Sequence, residues 1–310
     1  MGLSKIIILS VLAGPLLALA ACGGSPSPTF IPTADTASPT PSDKLKVATT
    51  NAILADFIRN VGGSEVEVES IVPLGADLHT FQSTPRISVT LSEAKVIISN
   101  GLGLDAPLDS LINSAIQSDA IHVAASDYTA AKDTDGDSAL VEADPHLWQN
   151  PLNAILYVER IRDVLMEVDP DNAPLYRTNA EAYVQKLRDL DQEIMDTLGV
   201  VPPERRHLVT FHNAFGHFGY RYGWELSALA AGDASEVSPG AVATILEEVK
   251  TKGISAIFVE PQFTSSIVDQ FAKDAGIKVG TIYSDTLDEA VPTYLDMMRF
   301  NARSLVEHLR

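Results

Sequence analysis

Seven histidines are spread along the 310 residues, and three of them fall in segments that read as loops. His79 lies in GADLHTFQSTP (75–85), after a β-branched run at 66–72, and His212 lies in TFHNAFGHF (210–218), directly after a run at 207–211. Asp285 follows the run at 279–283 in the same manner, within TIYSDTLD (281–288). Ligands of open α/β sheets bind outside the carboxyl ends of strands, so these three residues share one kind of position. His146 stands in DPHLWQNP (144–151), where Pro145 and Pro151 disfavour a regular helix and imply a rigid loop. Imidazole nitrogen suits zinc, and three neutral imidazoles with one carboxylate make a four-coordinate set that leaves a single positive charge on Zn²⁺.

Spacing alone does not force that chemistry, because no short pair such as HxxxH is present. Each candidate also has a plainer role. His79 and His146 fit solvated loop histidines, His212 fits a helix-capping or buried one, and Asp285 fits a helix N-cap. Glu260, in FVEPQF (258–263), suits the orientation of a metal-bound imidazole and equally a strand-end salt bridge. A zinc hydrolase would keep a water in its fourth position, but the chain has no HExxH and no obvious general base beside the histidines.

The elements that must position these residues show as alternation. Strand-like runs at 45–50, 66–72, 96–99, 207–211, 256–259 and 279–283 alternate with helical stretches, which indicates parallel sheets covered by helices. Between the two sets, residues 172–198 carry Leu175, Tyr183, Leu187, Leu190, Ile194 and Leu198 at helical spacing, with no Gly or Pro from Leu175 to Leu198. One helix of that length spans about 40 Å. Gly199, Pro202 and Pro203 supply its stop.

The N-terminus reads as an export signal over residues 1–21. Lys5 precedes a mostly apolar run that ends Leu19-Ala20-Ala21-Cys22, a lipobox. Cys22 is the only cysteine, so it has no internal disulfide partner, and acylation would remove an exposed exported thiol. Residues 22–43 form a Pro/Ser/Thr-rich tether, too poor in large apolar groups to fold. The expected location is therefore extracytoplasmic, lipid-anchored to the membrane. The formal charge of −19 excludes nucleic acid as a partner, because its phosphates would be repelled.

The strings GADLHTFQSTP, DPHLWQNP, TFHNAFGHFGYRYG and FVEPQF, with a long helix between the second and third, resemble the zinc and manganese solute-binding lipoproteins of ABC transporters. The resemblance covers nearly all of residues 44–310. It implies an α/β fold of two lobes with parallel sheets, 44–171 and 199–310, joined by one long rigid helix at 172–198, with the metal site in the interlobe cleft. It carries ligand roles onto His79, His146, His212 and Asp285. It also implies a monomer, not an enzyme, that passes its metal to an ABC permease and its ATPase subunit. Zinc-type relatives tend to have His at the third position where many manganese-type ones have Glu, so His212 points to Zn²⁺, with Mn²⁺ or Fe²⁺ as the alternative. A surface adhesin on the same fold is a competing role.

Departures from the family pattern are specific. Leu78 and Gln82 replace the usual Pro and Glu of the first motif, and His217 stands where an aromatic is usual. The stretch 127–144 lacks the His-rich loop of many zinc members. It matches a calcium loop at Asp133, Asp135, Gly136 and Glu142 but has Ala131 at the first position, which favours a solvated acidic loop.

Overall fold

Two sheets of four parallel strands carry the molecule, and both are wound in the same order. The first contains β1 (Leu45–Thr49), β2 (Val66–Ser70), β3 (Val96–Ser99) and β4 (Ile121–Ala124), ordered β2-β1-β3-β4. The second contains β5 (His207–His212), β6 (Glu225–Ala230), β7 (Ala256–Val259) and β8 (Lys278–Thr281), ordered β6-β5-β7-β8. This is a computed structural model, and it describes residues 44–127, 144–230, 237–263 and 266–310. The signal segment, Cys22, the tether and the calcium-loop residues Asp133, Asp135, Gly136 and Glu142 lie outside the described residues.

The central strands β3 and β5 are buried along their whole length, as expected where helices cover both faces of a parallel sheet. Their apolar runs made them visible in the sequence. The strands β4 and β6 escaped that reading because His122 in the first and Glu225 and Ser227 in the second interrupt the apolar pattern, whereas the edge strands β2 and β8 were read.

Among the described residues the α-helices are α1 (Ala52–Gly62), α2 (Pro85–Glu93), α3 (Ala106–Ala115), α4 (Pro151–Val168), α5 (Ala173–Leu198), α6 (Gly216–Tyr222), α7 (Pro239–Lys252), α8 (Ser266–Ala275) and α9 (Tyr294–Leu309). The 26-residue α5 lies between the sheets in sequence and packs on α1 and α4 of the first half and on α9 of the second. Its buried stripe is Tyr176, Ala180, Tyr183, Leu187, Leu190 and Ile194, with Leu198 at the end. Leu175, expected on that stripe, is 37% exposed, because Tyr176 takes the inward position and donates to Asp169. Gly199 keeps right-handed helical angles, so the stop falls to Pro202 and Pro203, which cannot donate a backbone hydrogen bond.

Polar contacts fasten α5 to both halves. The Asp56 carboxylate of α1 accepts from Tyr183 Oη (3.2 Å) and from the Tyr294 amide of α9 (3.0 Å). Farther along, Asp191 accepts from Arg221 Nε (2.9 Å) and Tyr222 Oη (3.0 Å) of α6. One apolar cluster runs from Val47 to Leu309 through both halves, and a second, with Val209, Phe211, Ile257 and Phe271, packs on the second sheet.

Candidate metal centre

In each sheet the strand order reverses at the middle, between β1 and β3 and between β5 and β7. Crevices at such reversals, outside the carboxyl ends, are where open α/β sheets bind ligands. His212 is the last residue of β5 and Glu260 is the first after β7, so strand pairing alone sets them side by side. Their separation is 2.9 Å, Nδ1 to Oε1, and both side chains are fully buried.

The other candidates reach this point through contacts around Asp285. The Ser284 carbonyl accepts from Trp148 Nε1 (2.8 Å) and Gln149 Nε2 (2.9 Å), which seats the segment carrying His146. The Gly75 amide donates to the Leu287 carbonyl (3.1 Å) and Thr286 Oγ1 (2.8 Å), which seats the loop carrying His79. Within that loop, Asp77 accepts from the His79 amide and from Thr80 Oγ1, an Asx-type turn. Pro151 acts as the first residue of α4 rather than as a loop residue, with Asn150 capping the helix and His146 just upstream.

One ligand atom from each of His79, His146, His212 and Asp285 lies within 4.8 Å of all the others. Asp285 carboxylate oxygens stand 3.7 Å from His79 Nε2, 3.5 Å from His146 Nε2 and 3.2 Å from His212 Nε2. Among the described residues, none of these three nitrogens, and neither oxygen of Asp285, has a hydrogen-bond partner, although all are buried. Buried polar atoms are nearly always satisfied, so five unsatisfied ones converging on one point fit a cation that all of them can reach.

The far side of two imidazoles fixes which nitrogen is free. His146 Nδ1 lies 2.7 Å from Asp144 Oδ1, and His212 Nδ1 lies 2.9 Å from Glu260 Oε1. A carboxylate accepts, so each Nδ1 carries a proton, which leaves Nε2 as the nitrogen that faces Asp285 and the candidate metal position. Glu260 thus stands against the far nitrogen of His212. Asp144 plays the same part for His146 and had no assigned role in the sequence reading. Its signal was the D-x-H spacing, which also lets the Asp144 carboxylate accept from the His146 amide (3.0 Å). Trp148 stands edge-on to His146 and Phe263 to His212, at 5.4 and 5.1 Å between ring centres, walling both imidazoles with apolar surface.

Charge in the centre is tightly coupled. Burial disfavours a charged His212, but Asp285 and Glu260 outweigh it and push its pKa up to about 10. Burial likewise opposes the Asp285 carboxylate, yet the three imidazoles hold its pKa well below the usual carboxylate range. Burial raises Glu260 and lowers His79. His79 is the most exposed donor, at 9% of its side chain, against 3% for His146, 0% for His212 and 1% for Asp285. It forms the solvent edge.

Of the family departures, Leu78 is fully buried in the main core and Gln82 is exposed, so neither touches the donors. His217 is buried outside the donor group.

Comparison with known proteins agrees with this architecture. The family model of the zinc-uptake complex component A, periplasmic, matches residues 47–308. The manganese-binding lipoprotein MntA of Halalkalibacterium halodurans is 34% identical over 286 residues, covering 89% of this chain and 92% of that protein. The iron-binding protein YfeA of Yersinia pestis is 32% identical, covering 90% of this chain and 91% of its own. Among solved structures, the periplasmic zinc-binding protein TroA of Treponema pallidum superposes with a TM-score of 0.80 at 25% identity, covering 86% of this chain and 99% of that one.

Proposed function

Given that this chain belongs to the zinc-uptake complex component A family of metal ABC importer substrate-binding proteins, we propose that it captures Zn²⁺ outside the membrane and delivers it to its importer. It is a binding protein and not an enzyme. The ligands are His79, His146, His212 and Asp285, all from one chain, so a monomer suffices. The partners are a permease and its ATPase subunit, and the lipid on Cys22 holds the protein at the membrane.

The observation that carries the zinc reading is the donor set. Three imidazole nitrogens and one carboxylate, two of the imidazoles backed by carboxylates, suit Zn²⁺ better than Mn²⁺, which favours oxygen-rich sites. A second reading, Mn²⁺ or Fe²⁺, is favoured by the names of MntA and YfeA. Metal analysis of protein purified without chelator, followed by growth of a deletion strain on each metal, separates the two. Zinc in the purified protein and rescue by zinc support the first reading; rescue by manganese but not zinc overturns it.

A further inference from the structure

Resting on that metal site, we propose that His217 is a positioning residue that fixes His146 for the metal from the opposite half of the chain. His217 lies on α6, five residues beyond His212, and is 1% exposed. Its Nε2 is 3.0 Å from the Asp144 carbonyl oxygen and its Nδ1 is 3.3 Å from Asn153 Nδ2. A carbonyl only accepts, so Nε2 carries the proton, and the lone pair of Nδ1 takes the Asn153 amide proton. One neutral tautomer satisfies both contacts.

Those two contacts bracket the ligand. Asp144 precedes His146 and Asn153 follows it in the first turn of α4, so a single ring from the second half clamps both ends of the segment. Asp144 is also the residue whose carboxylate receives the His146 amide and Nδ1 protons. The hydrogen bonds therefore run from His217 through Asp144 to His146, and a shift of the Asp144 backbone turns the imidazole. A phenyl ring at this position could fill the same space without donating to the Asp144 carbonyl.

The test compares Zn²⁺ affinity and release rate, by competition with a chromophoric chelator, in His217→Phe, His217→Gln, Asp144→Asn and the double variant His217→Phe/Asp144→Asn. His217→Phe should weaken binding about tenfold or more and speed release, while the metal-free melting temperature changes little. Glutamine can donate to the same carbonyl and should recover most of the loss. The double variant should lose little beyond Asp144→Asn alone, because both act through one residue. Wild-type binding by His217→Phe, an equal loss in His217→Gln, or additive losses in the double variant would each overturn the proposal.

Long-range ¹H–¹⁵N spectra of the zinc-loaded wild type do not depend on any variant folding. They should show His217 as the neutral Nε2–H tautomer, and the Nδ1–H tautomer counts against it. His212→Ala is the control for the site. Loss of binding there with none in His217→Phe defeats this inference alone, whereas wild-type binding by His212→Ala defeats the metal site with it.

Discussion

Glu260 Oε1 sits 2.9 Å from His212 Nδ1 with both side chains sealed from solvent, so the carboxylate fixes the ring and raises its basicity without competing for the metal. Replacing Glu260 with Gln keeps the shape and removes the charge. Zn²⁺ affinity should fall about 10–100-fold, with His212→Ala costing more because it deletes a donor. Equal affinities for Glu260→Gln and wild type, by chelator competition, would remove Glu260 from the site.

Metal must displace a proton from His212. With its pKa pushed up to about 10, His212 is charged in the metal-free protein at neutral pH, whereas Asp285 is already ionised. Calorimetric titration in two buffers of different ionisation enthalpy should show release of about one proton per Zn²⁺ from this residue, with apparent affinity rising as pH rises from about 7 to 8. The linked stability of the metal-free fold runs the other way. The His212 contribution is complete below about pH 6.5 and lost as pH climbs through about 10, and that of Asp285 is present above about pH 3.9 and lost as pH falls below it. Denaturant midpoints across pH that rise between 7 and 10 would contradict this assignment.

Leu187 lies midway along α5, fully buried in the cluster shared by both halves. Leu187→Ala should cost about 2–5 kcal/mol, read from urea unfolding. Because α5 packs on elements of both halves, fluorescence from Trp148 and from Trp224 in singly retained variants should shift by the same amount. A shift at one tryptophan only would show that the halves melt apart.

Cys22→Ala should leave Zn²⁺ affinity unchanged and move the protein from the membrane to the soluble fraction. Persistence in washed membranes after that substitution would mean that something other than the lipid anchors it.

The candidate donors were legible because their positions are local facts. His212 ends a strand, Asp285 and His79 follow strands, and Pro145 and Pro151 bound the short segment that carries His146. Their convergence was not, since it depends on contacts more than a hundred residues apart, such as Trp148 with Ser284 and Gly75 with Thr286. The continuous apolar runs of the buried central strands and the uninterrupted run of α5 announced the fold. The edge strands β4 and β6 did not, because His122, Glu225 and Ser227 break their apolar runs. Asp144 was overlooked for the opposite reason: an aspartate two residues before a histidine is common, and only the 2.7 Å contact shows what it does here.

Three of the four candidate donors are almost sealed from solvent, while His79 is 9% exposed on a loop joined to the second half through Gly75. If the four residues hold Zn²⁺ as proposed, exchange of His79 for water would open the coordination shell without unpacking either sheet. On that reading the time for which cargo is held and the lifetime of the fold would be set by different parts of the molecule, and each could be tuned by substitution without resetting the other.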